Sequence, residues 1–250
     1  MEIAAPQRLD QAVVEGRLDA RDRLAVALDF PSAAVALAFV DRLEGRCRWF
    51  KVGMELFYAA GSGLIHDLRK KGFEVFLDLK LHDIPNTVAG AVRSVTSTGA
   101  SLLTLHASGG ERMMLAAVEA AQAPGSPRLL AVTVLTSMDA ADLKGTGVAS
   151  SPRDQAIRLA LLAQKCGVAG MVCSPEEVEV LRSKLDAGNL LVVPGIRPAG
   201  APVGDQRRIS TPGSAIRDGA SMLVVGRPIT QAAEPAQAAA AILAEMEAAS

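Results

Sequence analysis

Short runs rich in Leu, Val and Phe alternate along this chain with Ala-rich stretches whose apolar residues recur at helical spacing. The first kind occupies 24–28, 49–53, 74–79, 102–106, 129–135, 168–173, 190–193 and 222–225, and predicts eight strands. The second lies near 32–43, 56–71, 86–99, 110–122, 152–166, 175–186, 212–219 and 232–248, and predicts helices. Gly72, Gly99, Gly167 and Gly219 stand where a helix should stop before the next strand. Ser32, Ser151 and Ser174 stand where helices should begin, each beside a proline.

Eight strand–helix units with almost continuously apolar strands call for a parallel sheet covered on both faces. A closed (β/α)8 barrel of the TIM type, in an α/β single domain over 23–250, fits this pattern best. An open doubly wound sheet is the alternative, weakened because no GxGxxG or GxxxxGK[ST] follows the first strand. Residues 1–22 form a polar leader that mixes acids and bases and lacks the apolar stretch of a secretory signal.

Composition narrows the function. The 250 residues are 50% hydrophobic and 21% charged, enough for one large core. A net charge of −1 gives no basic field for nucleic acid or an anionic membrane. Aromatics make up 3%, too few for a base-stacking platform. No uncharged apolar run is long enough to span a bilayer. Cys47, Cys166 and Cys173 lack CxxC spacing and read as buried thiols of a reduced, soluble, cytoplasmic protein. The only histidines, His66, His82 and His106, form no metal-binding pattern, so no metal is expected.

The chemistry collects at the predicted strand ends, where a barrel builds its active site. Residues 76–87, FLDLKLHDIPNT, are the densest stretch. Side chains alternate along a strand, so Asp78 and Lys80 share a face, and Asp83 follows in the loop. Such a cluster is costly unless paired; a structural ion pair is the plain reading, a catalytic cluster the functional one. Asp29 ends the first strand and Lys51 interrupts the apolar second; His106 ends the fourth, and Thr136 and Ser137 follow the fifth. Arg197, Gln206, Arg207 and Arg208 lie in a long loop after strand seven, and Gly226 and Arg227 follow strand eight. Barrels commonly hold a phosphate there, which favours Arg227 as a phosphate ligand. Arg207 and Arg208 read as solvated. The Gly-containing loops 137–151 and 196–210 are long enough to act as lids. An ammonium flanked by carboxylates suits a general acid or carbanion stabiliser more than a nucleophilic amine.

In order along the chain, ALDFPS, FKVGMELF, DLKLHDIPNTV, HASGG, VTVLTSM, PGIRPAG…GDQRR and VVGRPIT closely resemble the orotidine 5′-phosphate decarboxylase family over about 24–235. The resemblance implies a (β/α)8 barrel that converts orotidine 5′-monophosphate to uridine 5′-monophosphate and CO2, without metal or organic cofactor. It also implies a homodimer with shared active sites. Lys51, Asp78, Lys80 and Asp83 match the family's catalytic tetrad, with Lys80 the proton donor and Asp83 supplied by the other subunit. Asp29 and Lys51 match the positions at the ribose hydroxyls, with Ile84 and Thr87 completing the shared site. Thr136, or Ser137 beside it, matches the pyrimidine position, Arg197 the closing loop, and Gln206, Gly226 and Arg227 the phosphate ligands. Two alternatives are a phosphate-binding barrel with a related DxKxxD strand, such as a 3-keto-hexulose-phosphate synthase or ribulose-phosphate epimerase, and a catalytically silent barrel. The first would need metal ligands at its strand ends; the second would have no need of so costly a cluster.

Overall fold

Along each of the first three strands, neighbouring residues go to two different cores. In β1 (Leu24–Ala27), Leu24 and Val26 join the apolar shell under the helices, while Ala25 and Ala27 join a second, central cluster. In β2 (Trp49–Gly53), Phe50 and Val52 face the shell and Trp49 the centre; in β3 (Glu74–Leu81), Val75 and Leu77 face the shell and Phe76 the centre. This alternation is the strand's period of two, with both faces buried. Strands β4 (Leu102–His106), β5 (Arg128–Val132), β6 (Gly170–Val172), β7 (Leu190–Val193) and β8 (Met222–Val225) continue it.

The computed structural model describes residues 19–198 and 208–250. Its eight strands pair in parallel in chain order, and β1 also pairs with β8, closing the barrel. The (β/α)8 expectation is met. Between strands run α1 (Ala33–Asp41), α2 (Met54–Ala60), α3 (Ser62–Lys70), α4 (Pro85–Thr96), α5 (Glu111–Ala120), α6 (Ala140–Gly145), α7 (Pro152–Lys165), α8 (Val178–Lys184) and α9 (Pro212–Arg217). After β8 come α10 (Arg227–Thr230) and α11 (Pro235–Glu247). Ser32 and Ser151 cap α1 and α7 through their side chains, and Ser174 forms a capping box with Glu177. Gly72, Gly99, Gly167 and Gly219 have left-handed φ just past helix ends.

Some expected boundaries differ. The single helix expected over 56–71 is broken by Gly61, whose φ of 66° ends α2 and lets α3 start in a new direction. Strand β5 stops at Val132 and β6 at Val172, so the residues beyond them belong to the loops at the barrel mouth. The loop expected over 137–151 contains α6, started by an Asp139–Asp142 capping box. A 3-10 turn, Ala20–Asp22, closes against the barrel, where Asp22 pairs with Arg48 and Arg23 donates to Ala220 O and Ser221 O. Among the described residues no helix is long and apolar enough to cross a membrane.

Gly170 marks the tightest point in the wall. A Cβ there would lie 2.6 Å from both the Cβ and the backbone carbonyl O of Leu190, neither of which can swing aside. Gly170→Ala should therefore destabilise the chain by about 1–3 kcal/mol, although Ala is otherwise the better strand residue. Urea unfolding should show a lower midpoint with an unchanged slope; an unchanged midpoint would contradict this packing.

Candidate active site

The alternation that sends Trp49 and Phe76 to the centre also points Lys51 and Asp78 inward, one layer nearer the C-terminal end. Register aligns them: Lys51 stands beside Phe76, and Gly53 beside Asp78. Gly53 leaves room for these charges, since a Cβ there would come within 3.0 Å of Lys51 Nζ and 3.3 Å of Asp29 Oδ1. The charges form an alternating chain. Lys51 Nζ lies 3.2 Å from Asp29 Oδ1 and 3.6 Å from Asp78 Oδ2, and Lys80 Nζ lies 2.8 Å from the same Asp78 oxygen.

Burial makes this geometry consequential. The Lys51 and Asp78 side chains are only 11% and 13% exposed. Burial pushes the Asp78 carboxyl up, but the Lys51 and Lys80 ammoniums and the Thr104 hydroxyl outweigh it and hold the group below the ordinary carboxylate range. The carboxylate is thus ionised because of its neighbours and despite its site. At His106, burial first, then His82 and Lys80, lower the imidazole pKa, disfavouring a further cation.

Asp29, Lys51, Asp78 and Lys80 line a cavity of about 640 Å³ at the barrel mouth. Thr136, Arg197, Gly226 and Arg227 line it too, and Val132, Val134 and Val172 give it an apolar side. Its cationic pole comes from the last two units. Burial, and then the neighbouring Arg227, push the guanidinium of the buried Arg197 below its ordinary value, while Arg227 itself stands exposed at the cavity rim. Such a pair is complementary to a doubly charged anion. The cavity therefore offers an anion-binding, cationic pole beside a floor of fixed alternating charges.

A sequence profile of the Orotidine 5′-phosphate decarboxylase / HUMPS family matches residues 22–242. The chain belongs to this family. It is 56% identical to the orotidine 5′-phosphate decarboxylase of Halorhodospira halophila, over 91% of this chain and 97% of that one. It is 55% identical to that of Sodalis glossinidius, over 89% of each. The crystal structure of the Lactobacillus acidophilus decarboxylase superposes with a TM-score of 0.80 at 38% identity, covering 90% of this chain and 99% of the other.

Three residues of the decarboxylase pattern stay outside the cavity: Asp83, Ile84 and Thr87 are exposed on the adjoining surface. Asp83 Oδ1 accepts the Ile84 N–H at 2.6 Å, at the start of α4. Gln206 lies outside the described residues, as does Arg207. Among the described residues no three His, Cys, Asp or Glu side chains group so as to hold a metal ion.

Two residues went unread or misread in the sequence. Arg208, expected to be solvated, is buried: it pairs with the fully buried Glu177, and donates to Ser174 Oγ at 3.0 Å and to Leu135 O at 3.0 Å. Its place in a run of polar loop residues gave no hint of a buried partner thirty-one positions away in sequence, at Glu177. Thr104 is the other. Its Oγ1 accepts the Lys80 N–H at 2.8 Å and donates to Asp78 Oδ1 at 2.9 Å. The available signal was parity: Thr104 shares the inward face with Leu102, two residues away in an otherwise Leu-rich strand.

The pH dependence follows with a definite sign. A carboxyl whose pKa is lowered by folding stabilises the fold above its unfolded pKa, and that contribution is lost as pH falls through the folded value. Asp78→Asn should cost about 3 kcal/mol near neutrality, where it leaves two sheltered ammoniums facing a neutral amide. The gap to wild type should narrow below about pH 4. Chemical denaturation across pH checks this, and a gap independent of pH would contradict it.

Proposed function

We propose that this chain, a decarboxylase of pyrimidine nucleotide synthesis, converts orotidine 5′-monophosphate to uridine 5′-monophosphate and CO2 through a Lys/Asp charge network, without metal or organic cofactor. The observation that carries the reading is the 2.8 Å contact of Lys80 with Asp78 on the floor of a cavity whose other pole is cationic. The bond from the ring to the carboxylate breaks, CO2 leaves, and the electron pair stays on a ring carbon that cannot delocalise it. The Lys80 ammonium stabilises that charge as it develops and then donates its proton to the carbon. Water returns a proton to the amine. Asp78, facing the departing carboxylate, disfavours the bound ground state and keeps Lys80 aimed.

The remaining residues bind and orient. Asp29 and Lys51 hold the ribose hydroxyls, and Thr136, with Ser137 beside it, addresses the pyrimidine. Arg197, Gln206, Gly226 and Arg227 hold the phosphate, whose binding energy supports catalysis at a distance. Asp83, Ile84 and Thr87 serve the site of a second copy in a homodimer. Their exposure supports this, above all that of Ile84, a large apolar side chain 67% exposed beside a carboxylate.

Lys80→Ala should abolish turnover and leave uridine 5′-monophosphate binding within about threefold, since Lys80 acts on charge present only in the transition state. A near-normal kcat would remove Lys80 from its role. The shared site has its own test. Subunits of Lys80→Ala and Asp83→Asn, each inactive or nearly so, are allowed to exchange. In a mixed dimer one site carries both lesions and the other neither, so about a quarter of all sites should recover. No recovery after confirmed exchange would show that Asp83 serves its own chain.

A further inference from the structure

The β3–β4 ladder is irregular just where the chemistry sits. Leu77 pairs with Leu103 and Leu81 with Leu105, so Asp78, Leu79 and Lys80 stand against a single residue, Thr104. Lys80 takes up the excess with φ of 52°, in the left-handed region that costs a non-glycine residue roughly 1–2 kcal/mol. Its N–H turns to the Thr104 hydroxyl instead of to a backbone carbonyl.

That hydroxyl has one proton and is already accepting from the amide, so its own proton goes to Asp78 Oδ1. With Oδ1 occupied, Oδ2 is the oxygen presented to both ammoniums, Lys80 at 2.8 Å and Lys51 at 3.6 Å. Thr104 is completely buried and is not among the residues lining the cavity. One oxygen thus fixes the backbone of Lys80 and the side chain of Asp78 from below, without access to a ligand.

We propose that Thr104 is a positioning residue for the decarboxylation, its hydroxyl holding the left-handed turn at Lys80 and the orientation of Asp78 in the one arrangement that aims the ammonium at the reacting carbon. This rests on the decarboxylase reading given above. Because Thr104 acts through Lys80 and Asp78, its loss is felt in the chemical step more than in binding by the distant phosphate contacts.

Steady-state kinetics with orotidine 5′-monophosphate, together with binding of uridine 5′-monophosphate, test this on Thr104→Val and Thr104→Ser beside wild type. Val keeps the shape and removes the hydroxyl, leaving a buried amide and a carboxylate oxygen facing a methyl group. Its kcat should fall about a hundredfold while KM and product affinity stay within about threefold. Ser restores the hydroxyl and should recover most of kcat. Should Thr104→Val fail to fold, Thr104→Cys, with a weakly bonding thiol, carries the same test with the same thresholds. A kcat for the variant lacking the hydroxyl within about threefold of wild type, parallel losses in kcat and product affinity, or a Ser variant as impaired as Val would each overturn the role. A wild type inert toward orotidine 5′-monophosphate would overturn the decarboxylase reading along with it, whereas an active wild type confines the failure to Thr104.

Discussion

Asp78 shares one carboxylate oxygen between two ammoniums, and much of the barrel mouth is arranged to make that contact tolerable. Taken alone, each of these charges would cost several kcal/mol to shelter from water. Together they form a chain, Asp29–Lys51–Asp78–Lys80, in which every cation has a carboxylate within 3.6 Å and the formal charges cancel. The neighbours are fitted to the chain. Gly53 leaves room for Lys51 Nζ, Thr104 takes the second oxygen of Asp78, and the β3 bulge brings Lys80 round to the first. A network of this kind is stabilising only when complete, so the same residues that could do chemistry also hold one another in place.

The barrel was legible because its signals are redundant. Near-continuous apolar runs, Ala-rich helical stretches, caps at Ser32, Ser151 and Ser174 and left-handed glycines at helix ends all point to one architecture. The inward direction of Lys51 and Asp78 follows from the period of two, and the structure brings both to one cavity with Asp29, Lys80, Thr136, Arg197, Gly226 and Arg227. What could not be read was set by tertiary contacts. No local rule puts a lysine at φ of 52°; that conformation exists because β4 offers one residue where β3 offers three. Arg208 looks like any loop arginine until the fold brings Glu177 and the carbonyl of Leu135 around it.

Arg208 also shows how the cationic pole is supported. Arg197 N–H donates to Ser210 O and Ser210 N–H to Gly195 O, pinning the two ends of the segment after β7 together. Arg208 ties this stem to the loop after β5 and to Ser174 after β6. Burial pushes the Glu177 carboxyl up, opposed by Arg208 and Ser174, so removing Arg208 would leave a sheltered acid without its counter-charge. The cationic pole is thus braced by a buried ion pair outside the cavity, as the charged floor is braced by Thr104.

The proposed decarboxylation by fixed charges alone would distinguish this site from a phosphate-binding barrel that works through a metal. The direct measurement is the absorbance change of orotidine 5′-monophosphate mixed with the metal-stripped chain in excess EDTA, with uridine 5′-monophosphate and CO2 quantified. Undiminished turnover, with the two products formed in equal amounts, is the predicted result. A chain that is inert in EDTA and recovers only when Mg²⁺ is restored would contradict the claim that Lys80 and its carboxylates suffice.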